Sequence, residues 1–120
     1  MIVRYGFTAE RELAKAADFY ERERAGLGDE FLQEVQRAAG FLIEFPQLGR
    51  PVSKNRRVLV LKRFSYLLVY DLEQSGIRII AVAHQNRRSG YWSGRVEETY
   101  PQYEQMPAVA YLLIGEIIGV

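Results

Sequence analysis

The chain has 120 residues, 48% hydrophobic and 26% charged, which suits one soluble domain and leaves no room for two cores. Cysteine is absent, so disulfides and thiolate chemistry are excluded; with one histidine and no dense carboxylate cluster, neither a metal site nor a cofactor is expected. The net charge of +1 hides an uneven distribution: −3 over residues 1–46, +8 over residues 47–96 and −4 over residues 97–120.

The opening residues, Met1 to Tyr5, lack the basic leader and apolar core of a secretory signal, and a cytoplasmic location is expected. Val3, Tyr5 and Phe7 alternate with Arg4 and Gly6, the period of a half-buried strand. Thr8 can cap a following helix, whose apolar stripe is Leu13, Ala16, Ala17 and Tyr20 with Glu10, Lys15 and Asp18 toward solvent. Ala25-Gly26-Leu27-Gly28 stops that helix, and Asp29 is placed to cap a second one. Its stripe runs through Phe31, Leu32, Val35, Ala38, Ala39, Leu42 and Phe45, until Pro46 ends it. Two amphipathic helices on a short glycine-rich turn predict an antiparallel hairpin.

After a loop over residues 47–55, three β-branched and aromatic runs follow over residues 57–62, 66–72 and 77–84. Glu73-Gln74-Ser75-Gly76 is the turn between the last two. Strand parity groups Arg57, Leu59, Leu61 and Arg63; then Tyr66, Leu68 and Tyr70; then Arg78, Ile80, Val82 and His84. The expected fold is therefore α+β: an N-terminal strand, a two-helix hairpin, then a three-stranded, mainly antiparallel sheet. Residues 1–95 form the domain. Residues 96–120 are a C-terminal extension whose apolar part, Ala108–Val120, is too short to span a bilayer and is expected to pack on the sheet, a partner or a second copy.

The +8 segment can serve an anionic partner, or it can be neutralised in space by the acidic helices. Cleavage of RNA through its own 2′-hydroxyl needs a base, an acid and cations for the phosphorane. Arg57, Lys62, Arg63, Arg78, His84, Arg87 and Arg88 are the candidates. A second proton-transfer group beside His84 would have to be a neutral Lys62 or Tyr91. Tyr66, Tyr70, Tyr91 and Trp92 can stack on bases or simply pack, and Trp92 can anchor its Ser-Gly-rich loop or touch a partner.

Arg63-Phe64-Ser65-Tyr66 with Tyr70, then Ile80–Arg87 with His84 three residues before Arg87, and then Tyr91-Trp92, resemble the RelE/ParE toxin superfamily, in particular its ParE-like, plasmid-stabilisation branch. Gly28, Phe31, Val35 and Pro46 agree with the same pattern. Ser65 and Ser89 depart from it where proline is usual. The resemblance implies a type II toxin neutralised by a cognate antitoxin, which folds across the helical hairpin and sheet. For the ParE-like branch it implies inhibition of DNA gyrase, with target contacts through Arg63, Arg87, Arg88, Trp92 and Arg95. For the RelE-like branch it implies messenger RNA cleavage on the ribosome, with Arg57, Arg63, His84 and Arg87 as catalytic groups. A third reading is a non-toxic RNA- or protein-binding module. A homo-oligomer, or a hetero-oligomer with the antitoxin, is compatible with each.

Overall fold

A computed structural model describes residues 2–88 and 90–95; the extension over residues 96–120, with its apolar tail, lies outside the described residues. The elements are β1 (Ile2–Tyr5), α1 (Phe7–Glu23), α2 (Leu27–Glu44), β2 (Arg50–Pro51), β3 (Arg56–Val60), β4 (Tyr66–Glu73) and β5 (Gly76–His84). The α+β fold and its order of elements follow the expectation. The sheet is mixed and five-stranded, in the order β1-β5-β4-β3-β2, because β1 pairs in parallel with β5 and the short β2 pairs with β3 across the predicted loop.

The helical hairpin covers one face of the sheet. Ala9, Leu13 and Ala16 of α1 and Phe31, Val35, Ala39 and Leu42 of α2 meet Val3, Tyr5, Leu68, Tyr70, Ile77, Ile79 and Val82. Phe45, predicted to close the α2 stripe, is 57% exposed because the helix ends at Glu44 and Phe45 is its C-cap.

Both predicted helix caps are corrected. Strand β1 runs almost directly into α1: the Gly6 N–H donates to the Ile79 carbonyl at 2.8 Å, and Gly6 is the N-cap, which leaves Thr8 inside the first turn. At α2, Gly26 is the N-cap with φ +88°, a conformation cheap only for glycine. The Glu21 carboxylate, not Asp29, accepts the N–H groups of Gly26 and Gly28 at 3.0–3.1 Å. A Cβ at Gly28 would come within 2.7 Å of the Ala17 carbonyl oxygen, so this glycine sets how closely the two helices approach.

The parity of β5 is also corrected. Val69 pairs with Ala81 but Tyr70 pairs with Ile79, so Ile80 is an extra residue in a β-bulge. The bulge splits the predicted group: Arg78 and Ile80 face away from the helices, whereas Val82 and His84 face them. Glu10, expected on the solvent face of α1, is instead 1% exposed. Its Oε2 has no hydrogen-bond partner among the described residues, and burial pushes the carboxyl up to about 7.

Candidate functional site

The turn between β3 and β4 carries the Arg-Phe-x-Tyr motif. Phe64 has φ +71°, a left-handed conformation that a bulky residue adopts only when its surroundings hold it there. Its ring is edge-on to Tyr20 and Phe31, at centroid distances of 4.8 and 5.3 Å. The Arg63 N–H donates to Glu34 Oε2 at 3.3 Å, and the Arg63 guanidinium pairs with Glu30. That bond from Arg63 holds the Glu30 carboxyl below its ordinary range.

Strand β5 ends at the same place. Tyr66 stands opposite His84 in register, with ring centroids 5.1 Å apart, and the Gln85 N–H donates to the Ser65 carbonyl at 2.8 Å. His84 is half-buried, and its Nδ1 accepts the Asn86 N–H at 3.0 Å. A neutral His84 therefore carries its proton on Nε2. Arg87 and Arg88 follow on the exposed segment, the first with its guanidinium 4.1 Å from the Tyr91 ring centroid. One end of the sheet thus gathers Lys62, Arg63, Arg87 and Arg88 around Tyr66 and His84.

Arg57 lies elsewhere. It stands opposite Tyr70, four residues along β4 from Tyr66, a strand rise of about 13 Å. Its guanidinium donates to the carbonyls of Gln47 and Gly49 at 3.0 and 2.7 Å. Arg57 therefore latches the loop after α2 and does not join His84. Tyr70 works beside it: its hydroxyl donates to the Pro46 carbonyl at 2.7 Å and accepts the Gly49 N–H at 2.9 Å.

The segment after Arg88 folds back over the face of the sheet that the helices leave free. Trp92, 8% exposed, packs on Val58, Val69, Ile80, Ala81 and Ala83. Of the two roles open to Trp92 in the sequence, this packing serves the first: the indole anchors the loop. Arg95 is equally committed. Its guanidinium donates to both Glu12 oxygens at 3.0 Å and to the Ile80 carbonyl at 2.9 Å. Glu12 also accepts the Val82 N–H at 2.9 Å and the Tyr91 hydroxyl at 2.7 Å. Burial first, and then the bond to Glu12, push the Tyr91 hydroxyl up to about 12, which makes it a poor acid at neutral pH. This junction caps the edge of β5 that the short β1 leaves bare.

The cations of residues 47–96 therefore do not form one bare patch. Arg56 is paired with Asp71, Arg63 with Glu30, Arg78 with Glu73 and Arg95 with Glu12. Arg78 is 7% exposed and shares the helix-free face with Arg4, Asp71 and Arg56, which stand opposite one another across four strands. Arg50, Lys54, Lys62 and Arg88 are exposed, with no carboxylate partner among the described residues. Sequence reasoning missed Glu12, Glu30 and Glu34, the acids that organise this arrangement. The only sequence signal for them was the opposite sign of the helical and strand segments.

A strand, a helical hairpin and a mixed sheet with a cationic end are the architecture of a small RelE/ParE-type toxin. The family described as the ParE toxin of the type II toxin–antitoxin system parDE matches residues 3–89, and the chain belongs to it. Among solved structures, a chromosomal ParDE toxin–antitoxin system from P. aeruginosa is 19% identical; the match covers 70% of this chain and 95% of that chain, with a TM-score of 0.53. That likeness concerns the fold. No curated protein matches the chain. Among the described residues there is no group of three or more histidine or acidic side chains placed to hold a metal, and no helix long and apolar enough to cross a membrane.

Proposed function

We propose that this protein inhibits a gyrase-type topoisomerase by docking the end of its sheet on the enzyme, without breaking a bond, and that a cognate antitoxin neutralises it. The observation that carries this reading is the exposed group Lys62, Arg63, Arg87 and Arg88 at one end of the sheet, in a chain of the ParE toxin family. Several arrangements support docking over phosphodiester cleavage. Arg57 serves a distant loop, Arg63 is paired with Glu30, and the Tyr91 hydroxyl is held by Glu12. The tyrosine beside His84 is Tyr66, whose hydroxyl burial holds above its ordinary range, so it too is a poor acid.

An antitoxin segment would find apolar surface at the C-terminal end of α2. Phe41, Phe45 and Leu48 are 49%, 57% and 51% exposed there. Phe45 and Leu48 line a depression of about 580 Å³ together with Pro46 and Leu72, with Glu44 and Glu73 beside them. A partner that folds on binding would bury this surface against an amphipathic segment.

The test is a supercoiling assay with purified protein, run beside a ribosome-dependent messenger RNA cleavage assay. Inhibition is expected without cleavage, weakened at least about tenfold in an Arg87→Ala, Arg88→Ala double variant and retained in His84→Ala. Messenger RNA cleavage that disappears in both His84→Ala and Arg63→Ala would replace this reading with the ribonuclease one.

A further inference from the structure

A second polar feature lies on the helix-free face, beyond the β3 residues farthest from the Arg63 turn. A cleft of about 320 Å³ opens between the β2–β3 segment and the 90–95 loop. Arg50, Val52, Ser53 and Arg56 line one side; Gly90, Trp92 and Ser93 line the other. Arg50 stands opposite Val58 in register, so it shares the face on which Trp92 packs.

Among the described residues no acidic side chain lines this cleft, and the nearby Asp71 is already held by Arg56 through two bonds of 2.6 and 2.9 Å. Arg56 also donates to the Arg95 carbonyl at 2.8 Å through the Nη2 that serves Asp71, which leaves its Nη1 N–H groups as the remaining donors. Arg50, by contrast, has its whole fork available and no carboxylate partner among the described residues. Two hydroxyls, Ser53 and Ser93, lie within the same lining. The turn that presents Ser93 depends on Gly90, at φ +78°, where a Cβ would come within 3.2 Å of Ser93 Oγ.

We infer that this cleft binds a phosphomonoester. Arg50 takes the dianionic phosphate, the serine hydroxyls donate to its oxygens, and Trp92 bounds the small group that carries it. The volume falls at the low end of small-ligand sites, on the order of 300–1,000 Å³, which suits a mononucleotide-sized molecule. This site does not depend on the topoisomerase reading.

Trp92 is the chain's only tryptophan and it lines the cleft, so its emission reports occupancy directly. The full chain is titrated at constant ionic strength with inorganic phosphate, a mononucleoside 5′-monophosphate, the matching nucleoside and chloride. Saturable emission changes are expected with the phosphate and the monophosphate and absent with the nucleoside and chloride. Arg50→Ala should weaken both responses roughly tenfold or more, whereas Lys15→Ala on exposed α1 should leave them unchanged. No saturable response, an equal response in Arg50→Ala, or nucleoside binding as strong as the monophosphate would overturn the assignment. So would binding of inorganic phosphate with exclusion of the monophosphate.

Discussion

Replacing Glu12 with alanine should release the 90–95 loop from the sheet. Four hydrogen bonds converge on this carboxylate, from Val82, from Tyr91 and twice from Arg95, and they tie residues 70 to 83 positions apart in sequence. Glu12 and Arg95 are 17% and 18% exposed, so the pair is shielded but not sealed. Removing one member of a fully buried pair costs about 3–5 kcal/mol, while the net contribution of a hydrogen bond to a charged group is about 1.5–3 kcal/mol. In Glu12→Ala, Arg95 keeps the Ile80 carbonyl and the Tyr91 ring, and the Tyr91 hydroxyl can turn to water. A loss of about 2–3 kcal/mol is therefore expected, a fall in melting temperature of roughly 6–15 °C for a chain of this size. The local readout is sharper than the global one. Trp92 emission should shift to the red and its quenching by acrylamide should rise while far-ultraviolet circular dichroism stays native, whereas Glu23→Ala, on the exposed end of α1, should change neither. Unaltered Trp92 emission in Glu12→Ala, with unaltered melting, would refute the claim that this carboxylate holds the loop.

Three further outcomes are expected. Tyr70→Phe should cost about 2–3 kcal/mol in denaturant unfolding, because the hydroxyl serves the Pro46 carbonyl and the Gly49 N–H at a buried site; a change below about 0.5 kcal/mol would contradict that role. Phe64→Gly should be more stable than Phe64→Ala by about 1 kcal/mol although glycine removes more side chain, since only glycine relieves the strain of φ +71°. Glu10→Gln should stabilise the protein at pH 8 and much less at pH 5. The native carboxyl is raised to about 7, so the folded state binds the proton more tightly than the unfolded state, and stability falls as pH rises from about 4.5 to 7. Equal effects of the substitution at both pH values, measured by urea unfolding, would remove Glu10 from that account.

Local pattern made the two helices, the three long strands and their order readable, because each buries one periodic face: Leu13 with Ala16, Phe31 with Val35, and Val69 with Ala81. What stayed hidden depended on partners distant in sequence. Nothing in Ile79-Ile80-Ala81 marks Ile80 as the bulged residue, yet the bulge reverses the side on which Arg78 stands relative to His84. The cap of α2 comes from Glu21, on the preceding helix, and no rule limited to residues next to Gly26 finds it. For the site, Arg63, Arg87 and Arg88 come from the resemblance, and the fold sets them at the end of the sheet where the β3–β4 turn meets the end of β5. Arg57 was misplaced because parity gives the face a side chain takes, not its position along the strand.

The family's motif residues have structural work that explains their type. Arg63 ties the turn to α2 twice, through its N–H to Glu34 and its guanidinium to Glu30, and Glu34 also holds Arg37. Phe64 accepts a strained backbone so that its ring can enter the Tyr20–Phe31 pair, and Tyr66 joins Phe31 to His84. The contacts of Arg63 with Glu30 and Glu34, of Phe64 with Tyr20 and Phe31, and of Tyr66 with Phe31 cross from the sheet to the helical hairpin, so the motif fixes the orientation of the sheet's end relative to α2. Exposed cations on a floppy turn would lose side-chain and backbone entropy on docking, and so bind weakly. Here the turn is already ordered, Arg87 rests on the Tyr91 ring, and Tyr91 is in turn held by Glu12. Glu12, which neutralises Arg95, thus also keeps Arg87 in a defined place through the Tyr91 ring, as the proposed docking surface requires.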